Sequence, residues 1–91
     1  MKPLILALLA TPALADAPNC YLRADLIATL DSQYHERQIS AAVETRGGMV
    51  EIYASPVGTW TLIVVPPAEG PLMGCVVATG TNFKIVIGEL G

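Results

Sequence analysis

His35 is the only histidine in the chain and stands in Tyr34-His35-Glu36-Arg37. As a general base it would need a nucleophile within hydrogen-bond reach and a carboxylate to orient its ring. Ser32, Ser40 and Asp31 are near in sequence, yet no spacing motif ties them together. A cation at a helix C-terminus is favoured by the helix dipole, so His35 reads as a helix-end residue. The acids Glu36, Glu44, Glu51 and Glu69 are dispersed. Glycoside hydrolysis needs two carboxylates facing each other across a cleft. A calcium loop needs closely spaced oxygen ligands. Neither pattern occurs, and these glutamates read as solvated faces. Gly47-Gly48 and Gly80-Thr81 lack the lysine and the following helix of a phosphate loop. Met49 and Met73 are too few and too far apart for a copper site and read as core filler. The expectation is a protein that is not an enzyme, with no catalytic residues, no cofactor and no metal.

Cys20 and Cys75 are the only cysteines, so if they pair the connectivity is fixed. They do not form a C-x-x-C redox motif, and His35 alone could assist them as a soft metal ligand. A structural disulfide is the expected reading. Closing so long a loop stabilises by about 4 kcal/mol on the chain-entropy model. Trp60, the single tryptophan, stands between Thr59 and Thr61. Facing a helix it would be core; facing outward beside Tyr53 or Tyr34 it would anchor a binding surface. Trp60 and Tyr53 are therefore the candidate surface residues.

The N-terminus carries an address. Lys2 is a short positive region, Leu4 to Ala10 is unbroken apolar, and Ala13-Leu14-Ala15 is a small-x-small cleavage site before Asp16. This is the pattern of a secretory signal peptide over residues 1–15. The apolar run is far below the roughly 20 residues that span a bilayer, so stable membrane insertion is not expected. Acylation at Cys20 would need small residues directly before it, where Pro18-Asn19 stand. Cleavage leaves residues 16–91 as one domain in the periplasm or outside the cell. Net charge is −3 before cleavage, and Lys2 leaves with the leader. A nucleic-acid surface would need clustered Lys and Arg, so no nucleic acid is expected as a partner. A 53% hydrophobic content argues against disorder.

The elements that must position these residues follow from periodicity. After the polar leader 16–19, Pro18 fixes the entry and Asn19 is an acceptable N-cap. Leu22, Leu26, Leu30 and Tyr34 recur every four residues, which predicts a helix over about 21–34. The period then becomes two. Ile39, Ala41 and Val43 alternate with polar residues, and Arg46-Gly47-Gly48 is a turn. Val50, Ile52 and Ala54 alternate with Glu51 and Tyr53, before the turn Ser55-Pro56-Val57-Gly58. Residues 59–65 form the strongest strand, with Trp60, Leu62 and Val64 on one face. Pro66 to Pro71 is a loop, residues 72–78 a strand carrying Cys75, and Phe83 to Ile87 a final strand. The fold expected is α+β, one N-terminal helix packed on a four- to five-stranded antiparallel meander sheet. The disulfide would tie the start of the helix to the strand of Cys75, on the face under the helix. A small closed barrel plugged by the helix is the other architecture considered.

The segments Gly47 to Pro56, Gly58-Thr59-Trp60-Thr61, Gly74-Cys75-Val76 and Gly80 form a pattern of turns with one Trp and one Cys. In that pattern the chain resembles small exported proteins of alphaproteobacteria that carry no assigned activity. The resemblance implies export and transfers no site residues. In being a stapled β-sheet domain the chain is also similar to small periplasmic inhibitors of lysozyme. The function expected is a small periplasmic or secreted binding module with a protein partner, of the kind an inhibitor is. The alternative is an envelope structural or assembly protein acting as a homo-oligomer. That alternative rests on Ile63, Val65, Val76, Val86 and Ile87 as more apolar surface than one helix can cover.

Overall fold

The computed structural model describes residues 19–86. The signal peptide read over residues 1–15, the leader residues 16–18 and Ile87 lie outside them. The described chain runs β1 (Asn19–Leu22), α1 (Arg23–Tyr34), β2 (Arg37–Val43), β3 (Met49–Ala54), β4 (Trp60–Val65) and β5 (Met73–Gly80). The strands form a single five-stranded sheet in the order β1-β5-β4-β3-β2, with every neighbouring pair antiparallel. Strands β2 to β5 are the expected meander, and β1 adds beside β5. The architecture is the expected α+β one; the sheet is open, with β1 and β2 as its edges.

Because β1 and β2 are opposite edges, the helix between them must cross the whole sheet. The dimensions agree. Twelve helical residues span about 18 Å at about 1.5 Å per residue. Five strands, or four spacings of about 4.8 Å, are about 19 Å wide. A crossing helix is about 10 Å thick, whereas a six-residue strand is about 20 Å long. One helix therefore covers only part of the strands' length.

The start of α1 differs from expectation, while its end falls at Tyr34 with His35 as the helix-end residue, as expected. Asn19 does not cap it. Leu22 holds the N-cap position without a side-chain hydrogen bond, and the Arg23 N–H donates to the Leu72 carbonyl at 2.9 Å instead. The loop before β5 thus satisfies a donor that a polar cap would otherwise take. At the other end His35 adopts the left-handed conformation, φ 58° and ψ 33°. Its N–H reaches Asp31 O at 3.1 Å, and the Glu36 N–H reaches Leu30 O at 3.0 Å. This turn drives the Glu36 side chain inward, where it is buried.

The core is Leu26 and Leu30 of α1 on Tyr53, Ile63 and Val65 of the sheet, with Ile27, Met49 and Val76 packed around them. Leu22, expected in the same stripe, belongs to β1 and is exposed, as is Tyr34. The helix approaches β5 closely at Gly74, where an added Cβ would lie 3.1 Å from a Leu26 methyl. By strand alternation the helix side carries Met49, Glu51, Tyr53, Thr61, Ile63, Val65, Gly74 and Val76. Val50, Ile52, Trp60, Leu62, Val64 and Cys75 form the opposite face. The Cys20–Cys75 disulfide joins directly opposed residues of β1 and β5, 4.0 Å apart at Cα. Since Cys75 pairs with Val64, it lies on the face away from the helix, not under it.

The final strand expected over 83–87 is absent among the described residues, where 82–86 are irregular. Asn82 has φ 60°, and the Phe83 N–H bonds to Gly58 O at 2.9 Å. Phe83 then lines a shallow depression with Ile52, Trp60 and Leu62 on the outer face. No described helix is long and apolar enough to cross a membrane.

Leu26→Ala should cost about 2–5 kcal/mol as transfer loss plus a cavity. A core of this size supplies only about 3–5 kcal/mol, so the variant should be largely unfolded once the disulfide is reduced. Ser32→Ala, exposed on the same helix, should be nearly silent. Urea melts with and without reductant make the comparison. A Leu26→Ala protein melting like wild type would mean that the helix is not docked.

Candidate functional site

Two polar constellations lie beneath the helix, and both contain glutamates expected to be solvated. The first is closed. Glu51 is at the centre of β3 with 0% exposure. Arg23, the first helical residue, meets it with a two-pronged fork, Nε to Oε1 at 3.0 Å and Nη2 to Oε2 at 2.7 Å. Tyr53, two residues on and on the same face, donates its hydroxyl to Glu51 Oε1 at 2.9 Å. Arg23 Nη2 also donates to the Tyr53 oxygen at 3.4 Å. Glu51 holds the Arg23 guanidinium above its ordinary pKa. Burial, then the neighbouring Glu51 carboxylate, pushes the Tyr53 phenol up to about 12. By contrast Arg37–Asp31 and Arg46–Glu44 are surface pairs at 3.7 and 3.3 Å. Such exposed pairs contribute little.

The second constellation is open. On one side of α1, over the start of β4 and the end of β5, a groove of about 650 Å³ remains. It is the part of the sheet that a crosswise helix leaves uncovered. Leu26, Leu30 and Val76 give it apolar walls, and Tyr21, Tyr34 and Trp60 are aromatic residues among its lining. At its base lie Glu36, 3% exposed, and Thr61, 4% exposed. Thr61 Oγ1 donates to Glu36 Oε1 at 2.7 Å. No described residue hydrogen-bonds Oε2, and no described polar side-chain atom is both sealed and unpartnered. The small opening left to Glu36 is onto the groove.

Trp60 lies on the opposite face from the core by register, at the corner where the groove and the outer depression meet. Its indole covers Gly80, its cross-strand partner, and an added Cβ there would lie 2.8 Å from the ring. Nε1 donates to Thr81 O at 3.2 Å. Of the two placements considered for it, the register gives the face away from the helix, and it stands at the margin of the groove. Tyr53 does not reach the surface beside it; it is 1% exposed and committed to Glu51. His35 is not part of the groove lining. Met49 packs against the core, while Met73 is exposed. Ile63 and Val65, expected as surplus apolar surface, are core residues at 0% and 2%. Among the described residues no three of His, Cys, Asp and Glu gather where they could hold a metal ion.

Glu51 and Glu36 escape sequence reasoning for different reasons. Val50, Ile52 and Ala54 look like the inner side of β3 because they are the apolar alternates, yet the Glu51–Tyr53 side faces the helix. A glutamate flanked by Met49 and Tyr53 on its own face, with one arginine at a helix start, is the available signal. Glu36 is turned inward by the left-handed residue before it, which no local pattern announces.

No family model, curated protein or solved structure matches this chain.

The Tyr53 shift has a definite sign. A phenol with a raised folded-state pKa contributes stability below its unfolded value near 10 and loses it as pH rises. Between about pH 10 and about 12 the stability of the wild type should therefore fall more steeply than that of Tyr53→Phe. Urea midpoints measured across that window test this; parallel slopes would mean that the phenol is not buried against Glu51.

Proposed function

We propose that the protein is a small exported binding module, not an enzyme, that holds a protein partner in the groove beside α1. The observation carrying this reading is the groove itself. It is concave, apolar at its walls and bordered by aromatic residues, with a few polar groups at its base. That is the composition of a recognition site, in which apolar area gives affinity and sparse polar groups fix orientation. Tyr and Trp suit its margin because each offers a large apolar surface with a polar tip.

Its lining holds hydroxyls and carboxylates without histidine or cysteine. Thr61 Oγ1 donates to Glu36 Oε1 at 2.7 Å, but no described residue bonds that carboxylate as the orienting third group that covalent catalysis requires, and the pair reads as structural. Export is supported by the leader pattern of residues 1–15 and by a cross-strand disulfide, which persists in oxidising compartments. The walls are side chains of the core or packed on it, Leu26 and Leu30 of α1 and Val76 of the sheet.

Thr29 is exposed on the groove side of α1. Thr29→Phe should fill the groove without disturbing the core, while Arg46→Ala alters a turn at the other end of the sheet. Captured partners from envelope extract should be retained by wild type and Arg46→Ala and lost by Thr29→Phe. Equal capture by all three, or capture by none, would overturn the reading.

A further inference from the structure

We infer that the groove receives a lysine side chain of an extended segment of the partner, with Glu36 as its acceptor. This rests on the binding role proposed above. The first argument is charge. Asp25 and Glu36 are both part of the lining, and among the described residues no Lys, Arg or His is. The chain as a whole is also negative, at −3. A cation approaching the groove therefore meets complementary charge at the margin and again at the base.

The second argument is the state of Glu36. A carboxylate buried to 3% exposure is expensive unless its oxygens are satisfied. Thr61 satisfies Oε1, and no described residue satisfies Oε2. Among the described residues one acceptor position is thus left at the base of an apolar groove. A side chain with a long apolar stem and a charged tip matches that arrangement, the stem lying along Leu26, Leu30 and Val76.

The third argument separates lysine from arginine. A guanidinium gains most from two parallel hydrogen bonds to both oxygens of a carboxylate. Arg23 makes that fork with Glu51 in this same molecule. A hydroxyl on one oxygen does not by itself bar a fork, since Tyr53 shares Glu51 Oε1 with Arg23. At Glu36 the restriction is the 3% opening, which leaves a planar guanidinium no room to reach both oxygens beside the Thr61 hydroxyl. A compact ammonium, which acts as a point charge, needs only the oxygen that Thr61 does not take. The volume of about 650 Å³ exceeds one side chain. The residues flanking the lysine in an extended strand therefore enter as well, within reach of the Thr29, Thr79 and Thr81 hydroxyls.

The test uses the purified oxidised chain and capped pentapeptides of alanine with a central lysine, norleucine, arginine or glutamate. Trp60 fluorescence and amide chemical shifts of groove residues report binding. The lysine peptide should bind saturably and about tenfold tighter than norleucine, the scale of one charge-assisted hydrogen bond. Arginine should fall between them, and glutamate should be weakest. Glu36→Gln, which can still accept from Thr61, should reduce the lysine peptide to the norleucine level and leave norleucine unchanged. Should Glu36→Gln fail to fold, Asp25→Asn at the exposed margin should weaken lysine alone and flatten its salt dependence. Norleucine or glutamate binding as tightly as lysine would overturn the inference while leaving a binding groove. No response to any peptide, with partner capture still lost in Thr29→Phe, would also overturn it alone. No response together with Thr29-independent capture would overturn both.

Discussion

A carboxylate with 0% exposure at the middle of a small sheet is the constraint on which the rest of this molecule depends. Glu51 cannot be left ionised there without a partner, and the partner is the first residue of the only described helix. The Arg23–Glu51 fork therefore fixes where α1 begins over the sheet. The helix then has to reach the opposite edge, because β2 follows after two residues. One end is set by an ion pair and the other by connectivity, so the path of the helix across the strands is determined. Leu26 and Leu30 fall on the core because of that path, and Gly74 leaves room for the Leu26 side chain against β5. Buried ion pairs are often no more stabilising than a well-packed apolar substitute. Here the pair's value lies in specifying position: an apolar helix face alone could slide along an apolar sheet.

The groove is a consequence of the same geometry. A single helix laid crosswise covers one band of the strands and leaves another open. The uncovered corner keeps apolar walls from α1 and β5, and the left-handed turn at His35 delivers a carboxylate to its base. The structure thus contains two buried glutamates in contrasting states. Glu51 is saturated by Arg23 and Tyr53, and it holds the fold. Among the described residues Glu36 takes a hydrogen bond from Thr61 at one oxygen alone, and it lines the groove. The disulfide lies outside both, on the far face, where it fastens the short edge strand β1 to β5. It thereby anchors the chain immediately before Arg23.

Much of this was legible in the sequence, and the gaps have physical causes. The helix was readable because Leu26 and Leu30 recur at helical spacing without Gly or Pro between. Strands β3 to β5 were readable from alternation bounded by Gly and Pro turns. Strand β1 was hidden because Leu22 continues the helical spacing, although it belongs to a strand whose side chains alternate to the other face. The apparent strand at residues 83–87 alternates well, yet a strand needs an edge to pair with. Chain reversal at Asn82 carries Phe83 over the outer face instead. Alternation also cannot say which side of a strand meets the helix when both sides are largely apolar. That ambiguity misplaced Tyr53, Glu51 and the disulfide together and left the face of Trp60 open. The groove could not be read at all, since it arises from the helix crossing angle and one left-handed residue.

The central claim, that Arg23 and Glu51 act as one unit that positions the helix, is most directly tested by a double-mutant cycle. Arg23→Met, Glu51→Leu and the double variant would be compared by urea melts at neutral pH. Removing Arg23 alone leaves an uncompensated buried carboxylate and should cost about 3–5 kcal/mol. Removing both charges should restore most of that loss, giving a large favourable coupling. A cost below about 1 kcal/mol for Arg23→Met, the range of a surface pair, would contradict the account. So would single-variant losses that simply add in the double variant.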